Sequence, residues 1–328
     1  MARPDAPAVL RLGTRGGALA LWQAREAARL IAGAHPGLAI DIRIIHTSGD
    51  RAPAAPIAEL GGSGVFTREI EQALRGRQID IAVHSLKDLP TRLADDLTLA
   101  AVLERADPRD ALVAAPGSRL AGLPPRARVG TSSPRRRAQL LACRPDLVAL
   151  DVRGNVPTRI EKLDRGDFDA LLLAAAGLHR LGFERRIAEY VEPEVIMPAP
   201  GQGAIAIEAR AGDAGVLSVV AAADHGPTRL ATAAERACLA CLEGGCQVPV
   251  GVLAMWAGRR MNLAATVTSL DGARVVRERI GASARTEHDA HAAGERLAAL
   301  LVQQGAADVL AAIRSAHPVG PGRGTTGR

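Results

Sequence analysis

The sequence predicts an α/β protein with mostly parallel sheets, followed by a separate C-terminal α+β domain. Three observations lead there. Short apolar or β-branched runs alternate with helical patterns over the first two thirds of the chain. In the last third, three longer strand-like runs follow one another, joined by turn signals. Two helical patterns then close the domain, and no repeat of fixed period runs through the chain.

In chain order, AVLRLG (8–13) is the first expected strand, leading into a helix near 18–33. AIDIRII (39–45) is the second strand. The segment 47–64, rich in Pro, Ala and Gly, follows as a long loop of the kind that serves as a lid. A helix near 65–76 leads to strands at 79–85 (IDIAVHS) and 97–103 (LTLAAVL). Strands at 127–132, 147–152 and 168–174 then alternate with helices near 134–143, 157–165 and 175–182, and AIAIE (204–208) adds a further strand. In the C-terminal part a helix over 227–243 precedes strands at 248–258, 261–270 and 273–280. Gly258-Arg259-Arg260 and Asp271-Gly272 mark the turns between them. Helices near 285–303 and 305–315 follow, and the Gly- and Thr-rich tail from Pro318 has the composition of a disordered segment.

With 328 residues, the chain has material for two or three domains. Apolar residues make up 48% and aromatics only 2%, so the cores are built from Ala, Leu, Val and Ile. The net charge of +6 calls for an anionic partner, and almost all the positive charge is Arg. Lys87 and Lys162 are the two lysines. Nucleic acid is an unsuitable partner, because stacking residues are scarce and no reading motif is present. Four cysteines, at 143, 238, 241 and 246, are too few for a disulfide framework and suit a reducing compartment. No apolar run nears the ~18 residues of a membrane span and the N-terminus lacks a signal core, so a soluble, cytoplasmic protein is expected.

Anion-binding corners recur along the chain. Arg11 and Arg15 flank Thr14 where the first strand enters its helix. In TSSPRRR (131–137), Ser133 as N-cap and Pro134 at the first helical position mark a helix start. Thr131, Ser132 and Ser133 offer hydroxyls there, with Arg135, Arg136 and Arg137 in the first turn. Cations at that end oppose the helix dipole, which is costly without a bound anion. In DVRGNVPTRIEKL (151–163), Arg153 ends a strand, Asn155 can cap the next helix and Arg159 follows. Such corners gather at the carboxyl ends of parallel strands, where ligands bind.

Two groups offer chemistry. In VHSLKDLPT (83–91), Asp88 follows Ser85 and Lys87 on a short, apolar turn that Pro90 keeps from becoming a long helix. A carboxylate beside an Arg-rich cleft stays ionised, which suits stabilising a cation and trading protons. In LEGGCQVPVG, Cys246 lies between Gly-Gly and Pro, on a turn where the sulfur is available for reaction. Zinc does not suit Cys238, Cys241 and Cys246, since the first two fall within a helix and a fourth ligand is not evident. Gly201-Gln202-Gly203 precedes a strand rather than a helix and is a poor dinucleotide fingerprint.

Taken together, LGTR, LALWQA, GVFTREIEQAL, DIAVHSLKDLPT, VGTSSPRRRAQL, RGNVPTRIEKLDRGDFDALLLAAAGLHRLG, PAPGQGAIAIE and LEGGCQVPVG closely resemble the porphobilinogen deaminase (hydroxymethylbilane synthase) family, from Arg11 to about Leu253. The resemblance implies two lobes like those of periplasmic solute-binding proteins. The first would comprise 7–103 and 204–222, the second 108–199, with the third domain over 224–316 and the tail at 317–328. It implies a transferase without metal, acting on porphobilinogen, that is monomeric and binds neither nucleic acid nor membrane. It also implies a dipyrromethane cofactor bound as a thioether to Cys246. Four porphobilinogen units would be added head to tail, each losing ammonia to give a cationic azafulvene, before hydrolysis releases hydroxymethylbilane. Asp88 would be the catalytic acid-base group. Arg11, Arg15, Ser85, Lys87, Thr131, Ser132, Ser133, Arg135, Arg136, Arg153 and Arg159 would bind the carboxylates of cofactor and substrate. The chain departs from the family at Gly17, often Ser, and at Ser63, often Lys. Pro134 replaces a more usual apolar residue but suits a helix start. A non-catalytic two-lobed binding protein for a small polycarboxylate is the alternative, but it would have no use for a turn cysteine in a third domain.

Overall fold

Two five-stranded sheets with the same strand pattern, and one three-stranded sheet, organise the computed structural model. It describes residues 7–47, 67–242 and 248–316. The α/β class, the two lobes and the C-terminal three-stranded sheet expected from the sequence are present.

The first lobe contains β1 (Val9–Thr14), α1 (Ala18–Ala34), β2 (Ala39–Ile44), α2 (Arg68–Arg75), β3 (Ile81–Ser85) and β4 (Leu97–Val102). The second contains β5 (Asp110–Val113), β6 (Arg128–Gly130), α3 (Pro134–Cys143), β7 (Val148–Leu150), α4 (Val156–Asp164), β8 (Ala170–Ala174), α5 (Ala175–Arg180) and β9 (Ile187–Val191). The chain then returns as β10 (Ile205–Arg210) to the first sheet, whose order is β2-β1-β3-β10-β4. The second sheet runs β7-β6-β8-β5-β9. In each, three parallel strands are followed by an antiparallel one: β10 beside β3 and β5 beside β8. Each antiparallel strand is entered directly from a segment crossing between the lobes, about 103–109 on the way out and 192–204 on the way back.

These crossing segments need glycine. Gly201 and Gly203 have φ of +72° and +87°, and a Cβ on Gly203 would lie 2.5 Å from the Ala106 carbonyl oxygen. The GQG run is thus a turn that lets the two crossings touch.

After α6 (Ala214–Val220), the C-terminal domain begins with α7 (Gly226–Cys241). An antiparallel sheet of β11 (Val250–Ala257), β12 (Arg260–Thr268) and β13 (Val275–Ala282) follows. Helices α8 (Glu287–Gln303) and α9 (Ala306–Ala316) complete it. Ala234, Cys238, Val252, Leu263, Leu297 and Leu301 form the centre of its core. Thr286 and Asp289 make a capping box that starts α8. Burial pushes the Cys238 thiol up to about 12, as befits a packing residue.

Some expectations change in detail. The link after β12 is a loop over 269–274, not a two-residue turn, and Gly272 within it, at φ +76°, packs closely against the backbone of α3 at Leu141 and Ala142. Strands β5 and β9 and helix α6 were not anticipated from the sequence. Among the described residues no single helix is long and apolar enough to cross a membrane. The expected lid at 47–64, apart from Thr47, lies outside the described residues, as do Ser63 and the tail at 317–328.

Candidate active site

The carboxyl ends of β1 and β3 in one lobe, and of β6 and β7 in the other, carry the expected site residues. Asp88 ends a 3₁₀ turn, Leu86–Asp88, that continues β3. Leu86 and Leu89 are buried on either side of it, and the Leu86 N–H donates to the Ala204 carbonyl at 3.0 Å. A Cβ on Gly201 would meet Leu86 at 2.9 Å, so this glycine makes room for the turn. From α7, Arg236 donates to the carbonyls of Leu89, Pro90 and Thr91 just beyond it. The Asp88 carboxylate is left exposed on a turn held from three sides.

Ser85, at the end of β3, exchanges hydrogen bonds of 2.8 and 3.3 Å with the Gln23 amide of α1. Arg15 is half-buried just past β1. Thr14, between it and the sheet, turns its hydroxyl to the Ala20 carbonyl at 3.2 Å.

In the second lobe, Ser133 caps α3 by accepting from the Arg136 N–H, and Pro134 takes the first turn as expected. Ser132 donates to the Val152 carbonyl, tying the β6 corner to the β7 corner. Thr131 Oγ1 accepts from the Ser133 N–H at 3.3 Å. Asn155 caps α4, and Arg159 Nε donates to the Gly154 carbonyl at 2.7 Å. Gly154, at φ +112°, gives α4 its sharp entry, since a Cβ there would strike Thr158.

Arg135 and Arg136 are buried and share one buried carboxylate, Asp110 at the start of β5. Arg135 Nη1 lies 2.7 Å from Asp110 Oδ2, and Arg136 Nη2 lies 2.7 Å from Oδ1. Part of the anion that this helix start required is therefore the protein's own. Burial alone would raise the Asp110 pKa, but the two guanidiniums outweigh it and hold the carboxyl well below the usual range.

One carboxylate does not offset the surrounding charge. Burial, then Arg136, pushes the Lys87 ammonium down to about 8. Burial, then Arg136 and Arg153, pushes Arg159 down to about 10. Burial is the larger cause of both shifts, and the neighbouring guanidiniums add to it.

The fold moves one expected residue out of this group. Arg11 is bound to Asp80 through Nε and Nη2, at 2.8 and 2.6 Å, and to the Arg77 carbonyl through Nη1. Asp80 precedes β3, so this pair sits at the amino end of a strand whose carboxyl end leads to Asp88. Side chains at Arg11 and Arg15 are four residues apart on an extended chain, which separates them by about 13 Å. Arg11 is a framework residue. Cys246 lies outside the described residues. Gly17 precedes α1 without a side-chain cap.

Four participants were missed by sequence reasoning. Asp110 and Gln23 are described above. Gln202 lies buried among Lys87, Arg136 and Asp110. Arg180, at the end of α5, donates to the Gly203 carbonyl at 2.6 Å and stands over the Trp22 ring at 5.5 Å from its centre. Burial pushes it down to about 10. A basic residue closing the apolar helix AAGLHR was the one available signal.

Comparison with known proteins decides the family. Residues 10–218 match the model of "Porphobilinogen deaminase, dipyromethane cofactor binding domain", and residues 229–303 match that of "Porphobilinogen deaminase, C-terminal domain". The chain belongs to the porphobilinogen deaminase family. A porphobilinogen deaminase of Roseiflexus castenholzii is 50% identical over 302 residues, covering 92% of this chain and 98% of the relative. One of Syntrophomonas wolfei is 47% identical over 305 residues, covering 93% and 99%. Among solved structures, a periplasmic substrate-binding protein of an ABC transporter from Coxiella burnetii is similar at 15% identity and a TM-score of 0.40, covering 69% of this chain and 96% of that one. As a porphobilinogen deaminase, the chain is a transferase of tetrapyrrole synthesis with a dipyrromethane cofactor.

Proposed function

We propose that the cleft joins four porphobilinogen units head to tail on a dipyrromethane primer held by Cys246, with release of ammonia and then of hydroxymethylbilane. The observation that carries this reading is the charge balance of the cleft. Arg135 and Arg136 bind the buried carboxylate of Asp110, Lys87 faces the same group, Arg159 stands near Arg136 and Arg153, and the exposed carboxylate of Asp88 lies at the edge. That donor set fits a polycarboxylate such as a chain of pyrroles bearing acetate and propionate groups. When bound, the dipyrromethane supplies the pyrrole carbon to which the first unit is joined.

The roles of the residues follow from their chemistry. The guanidinium groups of Arg15, Arg153 and Arg159 bind carboxylates, as planar forks suited to them. Arg135 and Arg136, already bound to Asp110, hold the charge of that corner in place. Ser85, Thr131, Ser132 and Ser133 add hydroxyls with acceptor or donor capacity left over from their internal bonds. The Asp88 carboxylate stabilises the positive charge on porphobilinogen as its amino group leaves as ammonia, and takes the proton lost from the pyrrole α-carbon once the new carbon–carbon bond has formed. Lys87, next to it in sequence, balances that carboxylate and binds an acidic side chain of the substrate.

The same reading places the enzyme in the cytoplasm as a monomer. It keeps the three-domain division at 7–103 with 204–222, 108–199 and 224–316. A passive binding protein would require the cationic corners but not an exposed carboxylate held on a built turn beside them. The direct test is incubation with porphobilinogen, reading hydroxymethylbilane formation and ammonia release. A primed protein that binds porphobilinogen without releasing ammonia would overturn the proposal.

A further inference from the structure

Gln202 lies on the returning crossing segment and its side chain is completely buried. The amide nitrogen donates to the Pro108 carbonyl at 2.7 Å and to Asp110 Oδ1 at 2.8 Å. The amide oxygen accepts from Lys87 Nζ at 3.3 Å and from Arg136 Nη2 at 3.4 Å. These four contacts fix its orientation. A flipped amide would set its N–H groups against two cations and its oxygen against two acceptors. One side chain thus touches the Asp88 turn of the first lobe, the β5 and α3 corner of the second, and the outgoing crossing segment.

We propose that Gln202 is a positioning residue, a buried amide that holds the Lys87 ammonium against the Arg136–Asp110 cluster and so ties the Asp88 turn to the carboxylate-binding corner of the other lobe. The inference rests on the carboxylate-binding reading of the cleft. Lys87 faces Arg136 and Arg135, which disfavour its charge, and Asp88 and Asp110, which favour it. The Gln202 oxygen belongs to the second set. Lys87 is also a group able to change charge close to physiological pH, because burial and Arg136 have brought it to about 8. A residue that holds its proton in place therefore acts on substrate binding without touching substrate.

The two lysines of the chain make this measurable. Lys87 and Lys162 of the full-length, primer-loaded protein are labelled with trace acetic anhydride across pH 6 to 10, and each is quantified by peptide mass. Lys162 is the internal standard. Gln202→Leu removes the acceptor, and Lys87 labelling at pH 7.5 is expected to rise about two- to threefold relative to Lys162, as for a pKa drop approaching one unit from about 8. Gln202→Glu puts a carboxylate in the same place, and the ratio is expected to fall about tenfold. The alkaline limb of kcat/KM for porphobilinogen should move the same way as the labelling midpoint, down in Gln202→Leu and up in Gln202→Glu. A purely structural amide would lower stability but leave that midpoint unchanged. An unchanged midpoint in the variants that fold overturns the proposal. If Gln202→Leu does not fold, the nearly isosteric Gln202→Glu decides alone. Labelling needs no turnover, so a protein that labels as expected but never consumes porphobilinogen would sink the functional reading instead.

Discussion

Arg105 and Glu235 meet in a two-pronged ion pair, Nη1 to Oε1 at 2.6 Å and Nη2 to Oε2 at 3.2 Å, with Glu235 completely buried. Arg105 belongs to the outgoing crossing segment and Glu235 to α7 of the C-terminal domain. The same carboxylate accepts from the Gly201 N–H at 2.6 Å and from the Ala254 N–H at 2.8 Å. Arg105 also donates to the Gln202 carbonyl at 2.8 Å. One acidic side chain of the third domain therefore gathers both links between the lobes and strand β11.

Removing one partner should be costly. Arg105→Ala leaves Glu235 charged, buried and short of two donors, which is expected to destabilise the protein by about 3–5 kcal/mol. Urea unfolding at neutral pH measures this, and a loss below about 1 kcal/mol would show that the pair is not structural.

Asp88→Asn keeps the shape of the turn and removes its negative charge. Turnover of porphobilinogen should fall about 10²–10³-fold or more, with the circular dichroism spectrum and the primer mass unchanged. Near-normal turnover would remove Asp88 from the reaction.

Cys246→Ser should abolish a covalent mass excess. In protein from a porphobilinogen-producing host, intact mass should exceed the bare sequence by two porphobilinogen units less their ammonia. The same excess on the Ser variant would place the attachment elsewhere.

The Asp110 carboxyl gives stability a defined acid dependence. Its folded pKa is depressed by Arg135 and Arg136 against the effect of burial. Its contribution is therefore complete above the unfolded value of about 3.9 and is lost as pH falls below it. Asp110→Asn should cost about 3–5 kcal/mol at pH 7, because two buried guanidiniums lose their counterion, and the penalty should shrink toward pH 3. A penalty constant from pH 7 to pH 3 would contradict the ion-pair account.

Gly203→Ala tests the contact between the crossing segments. The position has φ +87° and lies against the Ala106 carbonyl, so a methyl group forces backbone to move. A destabilisation of more than about 1 kcal/mol is expected, and a neutral or stabilising effect would refute it.

The sequence announced most of the fold where a local pattern could do so. The runs that became β1, β3 and β8, and the Ser-Pro start of α3, carry their own hydrophobic and capping signals. Strand β5 does not, because its four residues begin with an Asp that makes sense only beside Arg135 and Arg136. Strand β9 is flanked by Arg185 and Arg186 and carries Glu189, which masks its pattern. The site divides the same way. Asp88 and the cationic corners are written as contiguous motifs, whereas Asp110, Gln202 and Arg180 join them only through long-range contacts. Arg11 misled because a motif shows that two arginines are near in sequence, not that a strand separates their side chains along its length.

The paired crossing segments have a mechanical consequence. Two chain links lie side by side, pressed together at Gly203 and clasped by Glu235. A pull that would draw the lobes straight apart meets two covalent tethers. A product that lengthens from one unit to the next must therefore be accommodated without drawing the lobes straight apart, and the Glu235 clasp binds the third domain to both tethers at once.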